Sequence, residues 1–400
     1  MKAVIMAGGR GTRIAAVRAD IPKPMIPVCG KPILEWQIEC LARQGITELI
    51  LVIGHLGEAI TDYLGDGSRF GVSIRYLTER EPLGTAGALY LLKDDLREDF
   101  LLLNGDLIFD VDISRLLARH REAGGLATIL THPNDHPYDS GLIEADEGGR
   151  VLRWLHKEDV RGDHKNRVNA GIHLLSPAIL TRLRELKRTD LDREILRPLI
   201  EEGELYVYDS PEYIKDMGTP ERLHEVEEDI RRGIVARKNL KNKQRAVFFD
   251  RDGTLNRYIG FLRRPEELVL TSRAIEAVRR ANRAGYLAIL VTNQPVIARG
   301  EVTHEELSAI HNRLETLLGE GGAYLDDIFY CPHHPDKGFP GERPEYKIDC
   351  TCRKPRPGLL LAAAEKYNID LRESYMVGDS ESDRQAGLAA GCHVCLWERE

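Results

Sequence analysis

Two short apolar strands in this chain each run straight into a loop suited to anions. One reads Ala3-Val-Ile-Met-Ala-Gly8-Gly9-Arg-Gly11-Thr12-Arg13, the other Ala246-Val-Phe-Phe-Asp250-Arg-Asp252-Gly253-Thr254. A strand that ends in such a loop and leads into a helix needs parallel neighbours and covering helices, so each signature implies an α/β sheet. In the first loop, glycines let backbone N–H groups approach phosphate oxygens, and Arg13 adds a cation. Lys23, held between Pro22 and Pro24, adds a second. The second loop offers carboxylates instead. The chain therefore encodes two phosphate-handling sites of different chemistry.

The βα rhythm runs through strands at 2–6, 48–53 and 100–103 and helical stretches at 33–44 and 86–92. Residues 126–215 are more strand-rich, and a helix is expected over 220–230. The rhythm restarts with strands at 246–249, 287–292, 328–330 and 375–377. Helices are expected between them at 273–284, 304–318 and 359–367, with a last one at 382–389. The strongly basic stretch around 231–245 shows no clean apolar face. The expected domains are 1–232 and 245–400, joined by a basic linker over 233–244.

A length of 400 residues suits more than one domain. A net charge of −8 argues against a nucleic-acid partner bound through a basic patch. Apolar runs such as Leu287–Val291 are strand-length, which excludes a membrane span of that kind. Met1–Ala7 shows no signal-peptide pattern, and the seven cysteines do not form a framework of pairs. A cytoplasmic enzyme of small molecules is expected, with self-association open.

The run Ala7–Pro32, with Lys23-Pro-Met and Gly30-Lys-Pro32, resembles the sugar-1-phosphate nucleotidyltransferases over residues 1–230. The resemblance implies a Rossmann-like domain with a mixed sheet. It implies nucleotide contacts from Gly8, Gly9, Gly11, Thr12, Arg13 and Lys23, with Arg13 and Lys23 also catalytic. Glu81-Pro-Leu-Gly84-Thr85-Ala-Gly-Ala88 resembles the base-recognition loop, and Glu79 stands where the family often places a side chain against the base edge. An acceptor-only carboxylate suits the donors of guanine, and could also accept from adenine or cytosine. Asp106 in Leu-Asn-Gly-Asp, which also belongs to the nucleotide site, and Asp216 in Ile-Lys-Asp-Met-Gly-Thr-Pro resemble the two Mg²⁺ ligands. Gly141, Lys157 and Asn169 occupy sugar-binding positions. Leu155-His156-Lys157-Glu158 departs from the family's Glu-Lys-Pro, which puts one sugar hydroxyl contact in doubt and suggests an altered sugar.

Asp250-x-Asp252-Gly-Thr resembles the haloacid-dehalogenase superfamily of phosphohydrolases, which implies a Rossmann-type C-terminal domain. Asp250 is the implied nucleophile and Asp252 the implied acid and base. Thr292, Asn293 and Gln294 are implied phosphoryl donors and Lys354 the catalytic cation. Asp250, Asp252 and Asp379 are implied Mg²⁺ ligands, with Asp383 supporting the loop. Cys331-Pro-His333 and Cys350-Thr-Cys352 supply three thiolates and an imidazole, a set that suits a closed structural Zn²⁺ site. With Ala298-Arg-Gly300 and the Asp250–Asn256 run, the domain resembles the D-glycero-D-manno-heptose 1,7-bisphosphate 7-phosphatases and the related histidinol-phosphate phosphatases. Arg353 would then meet the substrate's other phosphate. Pro295 replaces the family's frequent serine.

A shared intermediate, heptose 1-phosphate, explains the fusion. The phosphatase would make it and the transferase would couple it to a nucleotide, GTP being favoured. Three alternatives stand beside this reading. One is a mannose- or glucose-1-phosphate nucleotidyltransferase fused to a phosphatase of other specificity, histidinol-phosphate-type included. Another is a nucleotide-sugar-sensing regulatory protein with an inactive transferase half. The third is a mainly structural protein in which the basic linker is a scaffold, which two complete catalytic sets argue against.

Overall fold

The computed structural model describes residues 1–9 and 21–400. By internal contacts the chain forms two units. One comprises Met1–Thr131, Ile143–Trp154 and Asn169–Asn239; the other comprises His132–Leu142, Leu155–Val168 and Leu240–Glu400.

The first unit is built on a nine-stranded mixed sheet. Its main path runs Val151–Leu155, Leu142–Ala145, Val168–Leu175, Phe100–Asn104, Ala3–Met6, Glu48–Ile53 and Ser73–Thr78. The last four are mutually parallel, whereas Val168–Leu175 runs antiparallel to Phe100–Asn104. Ala3 and Ile5 enter one apolar cluster and Val4 the other, so the strand's two-residue period feeds a core on each face. Met6 pairs with Asn104, and Gly105 N donates to Met6 O at 3.0 Å. This register sets the turn at Gly105 against the end of the strand Ala3–Met6. A separate strand pair, Leu107–Asp110 with Tyr213–Asp216, places Asp216 opposite Leu107, and Met217 N donates to Asp106 O at 2.9 Å. Two aspartates distant in sequence thereby reach one end of the unit.

The second unit holds a five-stranded, wholly parallel sheet. Its order is Asp327–Cys331, Leu287–Asn293, Ala246–Phe249, Tyr375–Gly378, His393–Leu396. Ala246 and Phe248 pack into one cluster and Phe249 into the other. Asp250, Thr292, Cys331 and Asp379 all lie at carboxyl ends of strands, where an open α/β sheet collects its functional loops. The helix His304–Glu320 starts on a capping box, with Thr303 Oγ1 accepting from Glu306 N at 3.1 Å and Glu306 Oε2 accepting from Thr303 N at 2.7 Å. Fully covered residues at 307, 310, 314 and 318 give it an i, i+3, i+4 stripe.

Three features depart from the sequence expectation. The helix expected at 86–92 is a 3₁₀ helix, Gly87–Leu92. The basic linker stretch is partly packed: it forms the short helix Ile234–Arg237, and Ile234, Val235 and Leu240 are buried. Three apolar side chains so spaced make no periodic face to read. Finally, residues 132–142 and 155–168 belong by contact to the second unit, although they lie in the sequence span expected for the first domain. They dock on the helix His304–Glu320. Asn166 N donates to Glu315 Oε2 at 2.7 Å, and His164 N to Thr316 Oγ1 at 2.9 Å. Arg167, 2% exposed, donates to Asp326 O at 2.9 Å and pairs with Glu315 at 3.5 Å. No local composition marks a segment whose partners come so much later in the chain. Among the described residues no helix is long and apolar enough to cross a membrane.

Candidate active sites

In the second unit the strand Ala246–Phe249 ends at Asp250, whose Oδ1 accepts from Lys354 Nζ at 2.6 Å. Lys354 Nζ also donates to Val291 O at 2.8 Å and lies 2.6 Å from Asp383 Oδ1. Only 3% of Lys354 is exposed. Burial alone would lower the pKa of this ammonium, but Asp250 and Asp383 hold it above the ordinary lysine value. Burial pushes the Asp250 carboxyl up to about 7; Lys354 pulls it down, while Asp383 and Asp252 reinforce the rise.

Asp250, Asp379 and Asp383 bring carboxylate oxygens within 4.8 Å of one another, a donor set that suits a hard divalent cation. Asp383, expected only to support the loop, is part of this group. It also caps the helix Glu381–Ala390, its Oδ2 accepting from Ser380 N at 3.1 Å. Asp252, expected as a third magnesium ligand, is not brought into the group. Its side chain turns away, toward Arg251, Gln294 and Asn256. Asp379 meets the Arg399 guanidinium. Gly253 has φ +87°, and any Cβ there would strike the Asp379 carboxylate, so both backbone and space require glycine.

The expected phosphoryl donors are partly committed elsewhere. Asn293 Nδ2 donates to Lys354 O at 2.9 Å and its Oδ1 accepts from Lys354 N at 3.0 Å, a two-point clamp on the lysine's backbone. Gln294 Nε2 donates to Asp252 Oδ2 at 2.9 Å and to Thr292 Oγ1 at 3.0 Å. These two amides orient Lys354 and Asp252, and sequence alone gives no sign of that. Arg353 donates to His333 O at 3.2 Å.

Cys331, His333, Cys350 and Cys352 converge as expected. The Cys331–Cys352 and Cys350–Cys352 sulfurs are 3.2 Å apart, Cys331–Cys350 3.5 Å, and His333 Nδ1 lies 3.3 Å from Cys352 Sγ. A tetrahedron of thiolates at the usual zinc distance has edges of about 3.8 Å, so a small breathing motion would admit the ion.

In the first unit, Lys23 forms an ion pair with Asp106. Arg222 Nη1, unforeseen from sequence, meets both oxygens of Asp216 at 2.7 and 2.6 Å. Each expected magnesium ligand thus carries a cationic partner. Gly8 packs against Glu79: a Cβ at Gly8 would lie 2.7 Å from Glu79 Oε2. Burial raises the Glu79 pKa, and its Oε1 accepts from Leu83 N at 3.4 Å. Gly84, at φ +78°, abuts Thr189 O, and Thr85 Oγ1 accepts from Leu191 N at 2.7 Å. The Thr85 hydroxyl thus pins the loop at residues 81–88. Asn169 Oδ1 accepts from Gly171 N at 2.9 Å, and its side chain also bonds Asp192. Asp192 was not singled out in the sequence; burial, then Asp190, push it up to about 6. It lies in a π-helical turn, Leu191–Leu196. Lys157, which is exposed, and Gly141 belong to the second unit, whereas Asn169 belongs to the first, so no single unit gathers the three expected sugar contacts. Gly11, Thr12 and Arg13 lie outside the described residues.

The family model "Nucleotidyl transferase" matches residues 2–233. The chain belongs to that family. A second model, described as HAD-hydrolase-like, matches residues 351–399, the stretch that carries Cys352, Lys354, Asp379 and Asp383. The chain is 35% identical over 225 residues to the mannose-1-phosphate guanylyltransferase catalytic subunit beta of Danio rerio, covering 55% of this chain and 62% of that protein. A probable mannose-1-phosphate guanylyltransferase 1 of Oryza sativa subsp. japonica is 36% identical over 226 residues, with the same coverage. The chain thus spans less than two thirds of the length of these curated relatives. Among solved structures, HddC from Yersinia pseudotuberculosis complexed with GMP-PN is 25% identical with a TM-score of 0.50, covering 57% of this chain and 99% of that one. The nucleotidyl transferase match and the HAD-like match together make the chain a fusion of two α/β modules.

Proposed function

We propose that this chain is a bifunctional enzyme of nucleotide-activated heptose synthesis. Its second unit removes the 7-phosphate of D-glycero-D-manno-heptose 1,7-bisphosphate. Its first unit transfers a nucleotidyl group, from GTP by preference, to the resulting heptose 1-phosphate and releases pyrophosphate. The observation that carries the phosphatase half is the buried Asp250–Lys354–Asp383 array at the end of a parallel strand.

In the phosphatase, Asp250 attacks phosphorus and the bond to the leaving oxygen breaks. The electron pair goes to that oxygen, which takes the proton from Asp252. Water then attacks the aspartyl-phosphate, the Asp250 carboxylate leaves, and the water's proton passes to Asp252. Lys354 favours the charged form of Asp250 against its burial and faces the phosphoryl group. Asp250, Asp379 and Asp383 would hold a Mg²⁺, which would supply positive charge to the phosphoryl transfer. A Zn²⁺ on Cys331, His333, Cys350 and Cys352 ties down a loop with little apolar core.

In the transferase, Lys23 offsets the repulsion between two phosphates, and Arg13 is assigned the same task. Asp106 and Asp216 would hold a Mg²⁺, which would offset negative charge on the phosphates. Glu79 offers an acceptor to N1–H and N2–H₂ of guanine. Guanine is supported by the mannose-1-phosphate guanylyltransferases and by the GMP-PN complex. Cytoplasmic location is part of the proposal, since thiols that bind zinc need a reducing compartment.

The deciding experiment supplies each anomer of the heptose bisphosphate together with each NTP and weighs the products. Phosphate release without any nucleotide heptose would defeat the second step. A second reading, mannose 1-phosphate as the acceptor, is favoured by the same relatives. Mannose 1-phosphate with GTP is its direct assay.

A further inference from the structure

We propose that Arg251 is a positioning residue for the acid/base carboxylate of Asp252, and that His311 holds Arg251 in that task; the proposal rests on the phosphatase reading above. Arg251 is 0% exposed. Its Nε donates to Asp252 Oδ1 at 3.1 Å and its Nη2 to Asp252 Oδ2 at 3.0 Å, a two-pronged fork on one carboxylate. Such a fork fixes the plane of the carboxylate as well as its place. Nη2 also donates to Gln294 Oε1 at 2.9 Å, while Gln294 Nε2 returns to Asp252 Oδ2 at 2.9 Å. Asn256 Nδ2 completes the set on Oδ1 at 3.2 Å.

The remaining Arg251 contact is Nη1 to His311 Nε2, at 3.3 Å. A guanidinium only donates, so Nε2 must accept and the ring proton sits on Nδ1. Burial, with Arg251 adding to it, keeps His311 far below its usual pKa and therefore neutral. His311 is anchored on the long helix His304–Glu320 and is 6% exposed. A buried arginine is expensive unless its donors are met. Here each of these contacts meets Asp252 or orients the fork, which fixes where the carboxylate stands for the leaving oxygen and, later, for the attacking water.

The test uses the full chain with Mg²⁺ and two substrates. A sugar phosphate has an alkoxide leaving group that requires the acid; p-nitrophenyl phosphate does not. For Arg251→Met, turnover of the sugar phosphate should fall about 100-fold or more, in the range that acid–base catalysis supplies. With p-nitrophenyl phosphate the same variant should give a normal stoichiometric burst of nitrophenolate, then slow turnover, because only the water step still needs Asp252. His311→Leu should give the same signature more weakly. His311→Gln, which restores an acceptor, should recover most of the rate. Loss of the p-nitrophenyl phosphate burst together with turnover would reduce Arg251 to a structural buttress and overturn the proposal. Unchanged turnover in Arg251→Met would overturn it too. If the unmodified chain releases phosphate from neither substrate, the phosphatase reading fails, and the positioning role with it.

Discussion

Asp383 Oδ1 lies 2.6 Å from Lys354 Nζ, on a residue that also caps the first turn of the helix Glu381–Ala390. One carboxylate thus balances a buried ammonium and fixes a helix end. Asp383→Asn keeps the shape but leaves Lys354 with Asp250 alone. Removing one member of a buried charged group costs about 3 kcal/mol, and the cap adds to that. The expected outcome is a chain that unfolds at clearly lower urea in its C-terminal unit and loses most phosphatase turnover. Full stability in the variant would mean that the Lys354–Asp383 pair contributes little.

A pH effect follows from Asp192. Its folded pKa is raised from 3.8 to about 6, chiefly by burial. A raised acid contributes stability that is fully present below its unfolded value and is lost as pH rises through its folded value. Ionising Asp192 therefore weakens the first unit between about pH 4 and pH 6, by no more than about 3 kcal/mol. Asp192→Asn removes that loss. The variant should gain on the unmodified chain as pH rises from 4 to 7, in paired urea titrations followed by a probe in the first unit. A difference that is flat with pH would show that Asp192 ionises at no cost. Since the Asp192 side chain bonds Asn169, the same variant should raise KM for the sugar phosphate.

The four-residue sulfur and imidazole cluster predicts one equivalent of zinc per chain by elemental analysis. Cys352→Ser should lose it. Chelation should lower the melting temperature of the C-terminal unit by roughly 5–10 °C, as expected for the loss of a few kcal/mol. Retained zinc in Cys352→Ser, or an unchanged melt after verified removal, would contradict the assignment.

Much of this was legible because strands and glycine turns are local. The strand ending at Asp250, the Gly253 turn and the Cys-x-His and Cys-x-Cys pairs can each be read within a few residues, and the structure brings the metal-type residues together. What sequence could not show was partnership across the fold. Arg222 gives no local sign that it will face Asp216, and Asn293 and Gln294 read as free amides until their acceptors are seen. The same holds for Arg167, whose partners Glu315 and Asp326 lie in the span expected to form a separate domain. Asp252 was read as a metal ligand from the family resemblance; the structure gives its side chain to Arg251 instead.

The transferase half can be tested without disturbing the phosphatase. Lys23 meets Asp106, and Arg222 meets Asp216. If those aspartates hold Mg²⁺ during turnover, each cation must yield its carboxylate when the ion arrives. Asp106→Ala should then abolish nucleotide-sugar formation, by about 1000-fold, and leave phosphate release from the bisphosphate within twofold. Lys23→Ala should cost about 100-fold, comparable to the loss of one preorganised charge contact on a phosphate. Arg222→Ala should behave differently. It removes a competitor for Asp216, so the Mg²⁺ concentration for half-maximal transfer should fall even if turnover drops. A Mg²⁺ requirement that rises in Arg222→Ala would mean that the arginine holds Asp216 in place for the ion. Transfer that persists unchanged in Asp106→Ala would remove the metal assignment altogether.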